Sequence, residues 1–169
     1  MRGIRLKFML WLYNWSSKAY AELFKNHKKA WGISKEDFSK YPKDSLGYAL
    51  WMFYDERGFD VMPKLENHDV FHVLTDTDTK IHDEIAMQYL LFGNGKFSLY
   101  LLGMLLVGTF IFPEYAKYYV QTYARGKSMA KFYDIEFKPF LTSSLPEIQK
   151  SLYINNLFLY QLSQINHGK

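Results

Sequence analysis

The sequence of 169 residues contains no cysteine. Disulfides, thiolate zinc sites and cysteine nucleophiles are therefore excluded. Any metal that this chain binds must be held by histidine and carboxylate side chains. The absence of cysteine also fits a reducing cytoplasm.

The chain also lacks an apolar run long enough for an ordinary transmembrane helix. The uncharged stretch at residues 97–112 has 16 residues and lies between Lys96 and Glu114, whereas a membrane span needs about 20 residues and at least about 17. We therefore predict that this stretch forms a buried central helix. The N-terminus is basic, but its apolar run is short and no clear cleavage site follows, so a signal peptide is not predicted.

Charge is distributed unevenly along the chain. Residues 1–31 contain seven Lys or Arg and one acidic residue, whereas residues 44–84 contain ten acidic residues against three basic ones. Nucleic-acid binders carry a broader basic surface, so no nucleic acid is expected as a partner. This separation of charge predicts that residues 1–31 form a basic arm that binds an anionic surface, and that residues 44–84 form an acidic region that attracts cations.

The first forty residues are basic and aromatic, and we predict a helix over residues 4–30. One interpretation is an amphipathic helix that lies on a membrane surface, in which case deletion of residues 2–31 abolishes binding to anionic vesicles. The other is a first helix that packs on the core. In the first interpretation the lipid anchors are Trp11, Trp15, Phe24 and Trp31.

The remainder, residues 41–169, is predicted to form a helical domain within one all-α, single-domain bundle, because strand alternation is weak and β-branched residues do not cluster. Capping residues and breakers mark the helix limits. The predicted helices run from Asp44-Ser45 to Gly58, over about 66–75, from Lys80 to Phe92 with Thr79 as the cap, over 96–112, from Pro113 to about 130, and from Ser144 to about 165.

His68 and His72 are four residues apart and point to metal binding. On a helix, such a pair lies on one face with its Cβ atoms about 5–6 Å apart. Glu84 follows a polar turn, so an antiparallel hairpin would bring its carboxylate over the pair and form a metal site between two adjacent helices. Two histidines and one carboxylate suit catalytic zinc or non-haem iron. Asp69, about 100° around the helix from His68, would ligate at the edge or orient a histidine.

Two familiar metal motifs do not fit this segment. Asp69 stands where the zinc-protease motif His-Glu-x-x-His requires a longer glutamate. Residues 76–78 do not open an EF-hand loop, because Lys80 falls at a ligand position and Ile81 at the position of the glycine.

The order His-Asp-x-x-His at residues 68–72, followed by eleven residues and then Glu84, resembles the signature of the Coq4 family. Residues 42–58 (PKDSLGYALWMFYDERG) are similar to the helix upstream of that signature, and residues 145–148 are similar to the start of a C-terminal helix. The resemblance covers roughly residues 42–152. One departure is Asp83, which stands before Glu84 where the family commonly has glycine.

The resemblance implies an α-helical protein of ubiquinone or related prenylated quinone biosynthesis. It implies a cytoplasmic protein peripheral to the inner or plasma membrane, or to the mitochondrial inner membrane in a eukaryote. The metal would be zinc or iron, with magnesium as a third divalent candidate. Carried over residue by residue, the metal-binding and catalytic residues are His68, Asp69, His72 and Glu84.

The resemblance leaves two activities open. One is oxidative decarboxylation at ring carbon 1 of a polyprenyl-tailed quinone precursor, which replaces carboxyl by hydroxyl. The other is a scaffold that binds a prenyl lipid and organises other quinone-biosynthesis proteins at a membrane surface. A homodimer is compatible with both. An HD-type metal phosphohydrolase is a third and disfavoured interpretation, because that fold needs a further upstream histidine and a distant aspartate.

A polyprenyl tail needs a long apolar tunnel, in which each buried CH₂ contributes ~0.8 kcal/mol. The apolar helix at residues 97–112 is a candidate wall, and Gly103 and Gly108 would leave room between helices. A filled core built from the same side chains is the alternative. An anionic head group would meet the metal, or a cation such as Arg125 or Lys127.

Overall fold

The computed structural model describes residues 3, 5, 7 and 29–154. Residues 29–154 form seven α-helices and two short 3₁₀ turns, Pro113–Tyr115 and Lys138–Phe140, and no strand occurs in this range. The all-α prediction is confirmed for this part of the chain. The helices are α1 (Lys35–Phe38), α2 (Leu46–Arg57), α3 (Glu66–Thr75), α4 (Ile81–Gly93), α5 (Leu99–Ile111), α6 (Ala116–Ser128) and α7 (Leu145–Ile154).

Helix α2 begins and ends where its capping residues predict. The Ser45 hydroxyl accepts a hydrogen bond from the Tyr48 backbone N–H at 3.3 Å, which satisfies one of the first amides of the helix. At the other end, Gly58 has a φ of +63°. This left-handed conformation favours glycine and ends the helix.

Helix α4 begins without the predicted cap. Lys80, rather than Thr79, is the residue that precedes the first turn, and no side chain caps the helix there. The prediction of Thr79 as the cap is wrong because the helix begins at Ile81, one residue later than that cap requires. Thr79 belongs to the preceding turn, where its backbone N–H donates to the Asp78 side chain at 2.8 Å. Asp83 and Glu84 lie in the first turn, where negative charge interacts favourably with the helix dipole.

The contacts within the chain define two compact units. The first unit contains the described residues 3, 5, 7 and 78–129, and therefore α4, α5 and α6. The second contains residues 29–77 and 130–154, and therefore α1, α2, α3 and α7. The predicted division into an N-terminal segment of residues 1–40 and a helical domain of residues 41–169 is not tested by this grouping and stays a prediction.

Helices α4 and α6 of the first unit approach each other closely through two glycines. A Cβ atom at Gly126 would overlap the carbonyl oxygen of Leu90, and one at Gly93 would overlap the carbonyl oxygen of Tyr123. The Asn94 side-chain amide also donates to the Gly126 carbonyl at 3.2 Å. The two backbones are therefore in direct contact, which fixes the position of α4.

Helix α5 is buried on one face and exposed on the other. The prediction of a buried central helix is therefore correct only for the face that packs on the core. The reason is that apolar residues cover its whole circumference, while only one side packs on the core. Gly108 lies on the buried side, where atoms of Ile85 occupy the space of a Cβ. The prediction that Gly108 leaves room for a prenyl tail between helices is therefore wrong. The buried residues are Leu101, Met104, Leu105 and Gly108.

A sharp corner follows α5. Pro113 opens a 3₁₀ turn that continues into α6, as its fixed φ favours. Within the described residues, no single helix has the length and apolar composition of a membrane span. Only the consecutive stretches Leu99–Ile111 and Pro113–Ser128 meet those criteria when combined, and they are bent by 104° at the break.

Trp31 is buried in the second unit and is 7% exposed. Its backbone N–H donates to Glu66 at 2.9 Å, and its indole N–H donates to Glu136 at 2.8 Å. Lys138 donates to its carbonyl oxygen at 2.7 Å. The prediction of Trp31 as a lipid anchor is therefore wrong, because every polar group of this residue is bound inside the protein. The other predicted anchors, Trp11, Trp15 and Phe24, lie outside the described residues.

Tyr119 is 1% exposed, and its hydroxyl has no hydrogen-bond partner in the part of the chain that the structure describes. Burial raises the pKa of this phenol. Since an unsatisfied buried hydroxyl costs about 1–3 kcal/mol, Tyr119→Phe should raise the free energy of unfolding in urea by a similar amount. The control is Tyr89→Phe. The Tyr89 hydroxyl forms a hydrogen bond with the Thr109 hydroxyl at 2.6 Å, so its removal should lower the free energy of unfolding. Equal losses from both substitutions would contradict the prediction.

Candidate metal centre

His68 and His72 lie one turn apart on α3, as their spacing predicts. Their Nε2 atoms are 3.2 Å apart, and the ring centroids are 4.8 Å apart with the planes at 85°. Two imidazole nitrogens bound tetrahedrally to one zinc ion at about 2.0–2.1 Å would be about 3.3 Å apart. The pair therefore fits two ligands of one cation.

The ring of His72 is oriented by a backbone carbonyl. Its Nδ1 lies 3.0 Å from the Thr77 carbonyl oxygen, and since a carbonyl can only accept, Nδ1 must carry the proton. The lone pair is then on Nε2, the atom that faces His68. Such a partner for the second ring nitrogen is usual for metal-binding histidines. The ring is 2% exposed and stacks on Phe53 at 5.7 Å.

The turn after α3 places that carbonyl. Asp76 takes the left-handed conformation, with a φ of +49°, and ends the helix. The Thr75 hydroxyl lies 2.7 Å from the Phe71 carbonyl and 2.8 Å from the Thr77 hydroxyl. The sequence predicted only a polar turn here, whereas the structure shows that its threonines fix the orientation of a candidate metal ligand.

Glu84 completes the candidate group. It lies in the first turn of α4 and is 7% exposed. One ligand atom from each of His68, His72 and Glu84 lies within 4.8 Å of the other two. Three of the four residues predicted to bind metal are therefore brought together, and their donor set of two imidazoles and one carboxylate suits zinc or iron.

Asp69 is not a member of this three-residue group. Its Oδ2 accepts a hydrogen bond from the Tyr54 hydroxyl at 2.9 Å. Burial, together with the neighbouring Asp69, raises the pKa of Tyr54, so this phenol remains a donor throughout the physiological range. The role of Asp69 as a metal ligand stays a prediction.

Arg57 is a cation near the pair that sequence reasoning missed. Its guanidinium carbon lies 4.5 Å from the centre of the Phe53 ring, the same ring that stacks on His72. Its side chain is 28% exposed. In the sequence, its only signals are its place directly before Gly58 and its position four residues after Phe53. The cations named from the sequence, Arg125 and Lys127, lie on α6, and their role stays a prediction.

Asp83, the residue that departs from the Coq4 pattern, is bound within the first unit. It is 8% exposed, and Oδ1 accepts a hydrogen bond from the Tyr118 hydroxyl at 2.9 Å. His82 Nε2 lies 3.3 Å from Oδ2, and its ring stacks on Tyr115 at 4.4 Å. Burial and the bond to Asp83 raise the pKa of Tyr118 to about 12. The extra carboxylate is thus engaged by a phenol and an imidazole.

The fold and the site define a helical protein with a candidate His-His-Glu metal group, and the comparison with protein families gives its class. The model of the family described as coenzyme Q (ubiquinone) biosynthesis protein Coq4 matches residues 61–157. That range is more than half of the chain. The chain belongs to the Coq4 family, and its place is in ubiquinone biosynthesis. The predicted resemblance is confirmed, although the matched range begins after residues 42–58.

A comparison with solved structures supports the fold. The chain is similar to the crystal structure of a protein from Nostoc punctiforme PCC 73102 that carries a provisional assignment to ubiquinone biosynthesis. The TM-score is 0.61 and the sequence identity 18%, and the alignment covers 92% of this chain and 82% of that one. At this identity the likeness shows the fold alone. The comparison with curated proteins gives no match.

Proposed function

We propose that the chain binds one divalent metal ion through His68, His72 and Glu84 and acts on a polyprenyl-tailed aromatic precursor of ubiquinone. The observation that carries the proposal is the convergence of these side chains, with the two Nε2 atoms 3.2 Å apart and all three ligand atoms within 4.8 Å. Membership of the Coq4 family supplies the pathway.

The proposed reaction is oxidative decarboxylation at ring carbon 1. The bond from the ring to the carboxyl carbon breaks, and a bond from the ring to a hydroxyl oxygen forms. The reaction consumes one dioxygen, two electrons and two protons, and releases carbon dioxide and water, so a two-electron donor must take part. A divalent metal in this site would supply Lewis acidity and, as iron, redox chemistry.

The residues of the chain supply orientation and charge. The Thr77 carbonyl holds the proton of His72 on Nδ1, which keeps Nε2 available as a ligand atom in the neutral ring. Phe53 stacks on His72 and carries the guanidinium of Arg57 over its own ring. This places a permanent positive charge one aromatic ring away from the metal-binding histidine, where it can hold an anionic group of the substrate.

Arg57→Gln should therefore weaken substrate binding more than it slows turnover. We expect KM to rise by about tenfold or more, as the loss of a charge-assisted hydrogen bond implies, with kcat changed by less than about threefold. Steady-state kinetics on the purified protein measure both constants. Arg125→Gln is the matched control. A rise in KM for the control, with none for Arg57→Gln, would place the anionic group at α6 instead.

The first test is elemental analysis of the purified protein beside its His68→Ala/His72→Ala variant, with native mass spectrometry for bound lipid. We expect near-stoichiometric metal and a prenyl-lipid adduct in the wild type, and loss of the metal in the variant. Metal in neither sample would overturn the metal site. Metal and lipid without turnover, when oxidant and electron donor are present, would overturn the catalytic proposal in favour of a lipid-presenting scaffold.

A further inference from the structure

Gln88 is a buried polar residue of α4 that is not a member of the candidate metal group. It is 7% exposed, whereas glutamine lies mostly at the surface of folded proteins. We propose that the side-chain amide of Gln88 binds the substrate, by accepting a hydrogen bond from a phenolic hydroxyl on its aromatic ring. This inference rests on the proposed function and names a substrate-binding residue for it.

Gln88 lies on the same face of α4 as Glu84. Successive residues of an α-helix are about 100° apart, so a spacing of four residues places the two side chains about 40° apart. Their Cβ atoms are then separated by about 5–6 Å. Long side chains on a helix extend toward its N-terminus. The amide of Gln88 can therefore reach a molecule that is bound beside the Glu84 carboxylate.

The packing of α4 on α6 does not account for the burial of Gln88. Leu90 and Gly93 make the close backbone contacts with α6, and Asp83 accepts a hydrogen bond from a tyrosine of that helix. By the helical period, each of these residues lies about 140–160° around α4 from Gln88. Gln88 therefore faces away from α6, on the side of the helix that carries Glu84.

The Gln88 amide makes no hydrogen bond with another residue that the structure describes. Asn94, the amide at the end of the same helix, instead donates to the Gly126 carbonyl at 3.2 Å. The atoms of Gln88 also differ from those of Arg5 and Tyr119, which are fully enclosed without a partner. An amide has two N–H donors and a carbonyl acceptor, and buried groups of this kind are normally satisfied. A bound ligand would supply the partner.

Apolar side chains border the two polar ones on this face of α4. Ile81 lies about 20° around the helix from Gln88, and Leu91 about 60°. Both are buried. Apolar walls with a small number of polar groups are the usual composition of small-molecule sites. The face therefore suits a flat apolar ring that carries an oxygen substituent.

The chemistry of the proposed reaction identifies that oxygen. The two oxygens of a 1,4-quinone are para to each other, and oxidative decarboxylation supplies the one at ring carbon 1. The other must already be present at ring carbon 4, as a phenolic hydroxyl. If the carboxyl end of the ring meets the metal, this hydroxyl lies one ring length away. That length is comparable with the single helical turn between Glu84 and Gln88.

The test is isothermal titration calorimetry of the zinc-loaded protein, since zinc has no redox chemistry and leaves the ligands intact. The two ligands are benzoic acids with a geranyl chain at ring carbon 3, one with and one without a hydroxyl at ring carbon 4. We expect the wild type to bind the hydroxylated ligand at least about tenfold more tightly, because the other ligand leaves the buried amide unpaired.

Gln88→Met should reduce this ratio to below about threefold, because the substituted side chain has a similar size but no amide to pair with the hydroxyl. Gln121→Met is the matched control. Gln121 is an exposed glutamine on α6 of the same unit, and its substitution should leave the ratio unchanged. Circular dichroism and zinc content show whether each variant is folded.

The wild-type measurement needs no substitution. Equal binding of the two ligands by the wild type would overturn the inference and leave the proposed function standing. An unchanged ratio in folded Gln88→Met would also overturn it, as would loss of zinc from that variant, which would assign the amide to the metal. Binding of neither ligand by the wild type would overturn the proposed function, and this inference with it.

Discussion

Replacing Glu84 with alanine should abolish product formation and metal binding while the chain stays folded. Glu84 supplies the only carboxylate of the three-residue group, and the loss of residues that merely support metal ligands already reduces affinity or activity by about 10–100-fold. We expect activity to fall at least about 100-fold. Metal titration and product analysis by mass spectrometry are the measurements.

Thermal unfolding distinguishes a lost ligand from a lost fold. A metal at 100 times its Kd stabilises the folded state by about 2.7 kcal/mol, so the wild type should gain stability when metal is added and Glu84→Ala should not. The matched control is Glu147→Ala, an exposed glutamate in the first turn of α7, which should retain both activity and the gain. Wild-type metal content in Glu84→Ala would remove this residue from the site.

Local chemistry made the limits of α2 and the histidine pair predictable. A serine before the first turn and a glycine after the last satisfy backbone groups whatever surrounds the helix. The approach of His68 to His72 likewise follows from the period of the helix alone. The histidine pair needs no contact between residues distant in the sequence, whereas the first amides of α2 also donate to the distant carbonyls of Leu141 and Ser143.

The partners of the site residues could not be predicted in this way. The bond between Tyr54 and Asp69 joins different helices, and Arg57 approaches His72 only through the ring of Phe53. Trp31 has the residue type of a lipid anchor, but Glu66, 35 residues away, binds its backbone. Such contacts depend on how the helices pack, which single-residue chemistry does not determine.

The sequence also could not predict which face of α5 is buried, and the reason here is different. A helix that is apolar on all sides has no periodic pattern to distinguish its inner face from its outer face. On the inner face, Gly108 packs against Ile85 of α4, beside the buried Leu101, Met104 and Leu105. The choice therefore depends on a shape fit between two helices, and the apolar composition gives no sign of it.

Gly126→Ala should strongly destabilise the chain. In an isolated helix, alanine would be favoured over glycine by about 1 kcal/mol. At this position, however, the added Cβ would overlap the Leu90 carbonyl oxygen and crowd the backbone nitrogen of Asn94. Since backbone atoms of α4 cannot turn aside as a flexible side chain does, we expect a loss of about 3 kcal/mol or more in the free energy of unfolding.

Gly103→Ala is the matched control, because it makes the same substitution in the middle of α5. No atom lies within 4 Å of a Cβ placed there, so the helix preference for alanine should act alone and stabilise the chain by up to about 1 kcal/mol. Urea unfolding of both variants measures the two effects. Opposite signs would show that direct backbone contact holds α4 and α6 together. Equal, small changes would mean that α4 can move away from α6, and the position of Glu84 would then have to be fixed by other contacts.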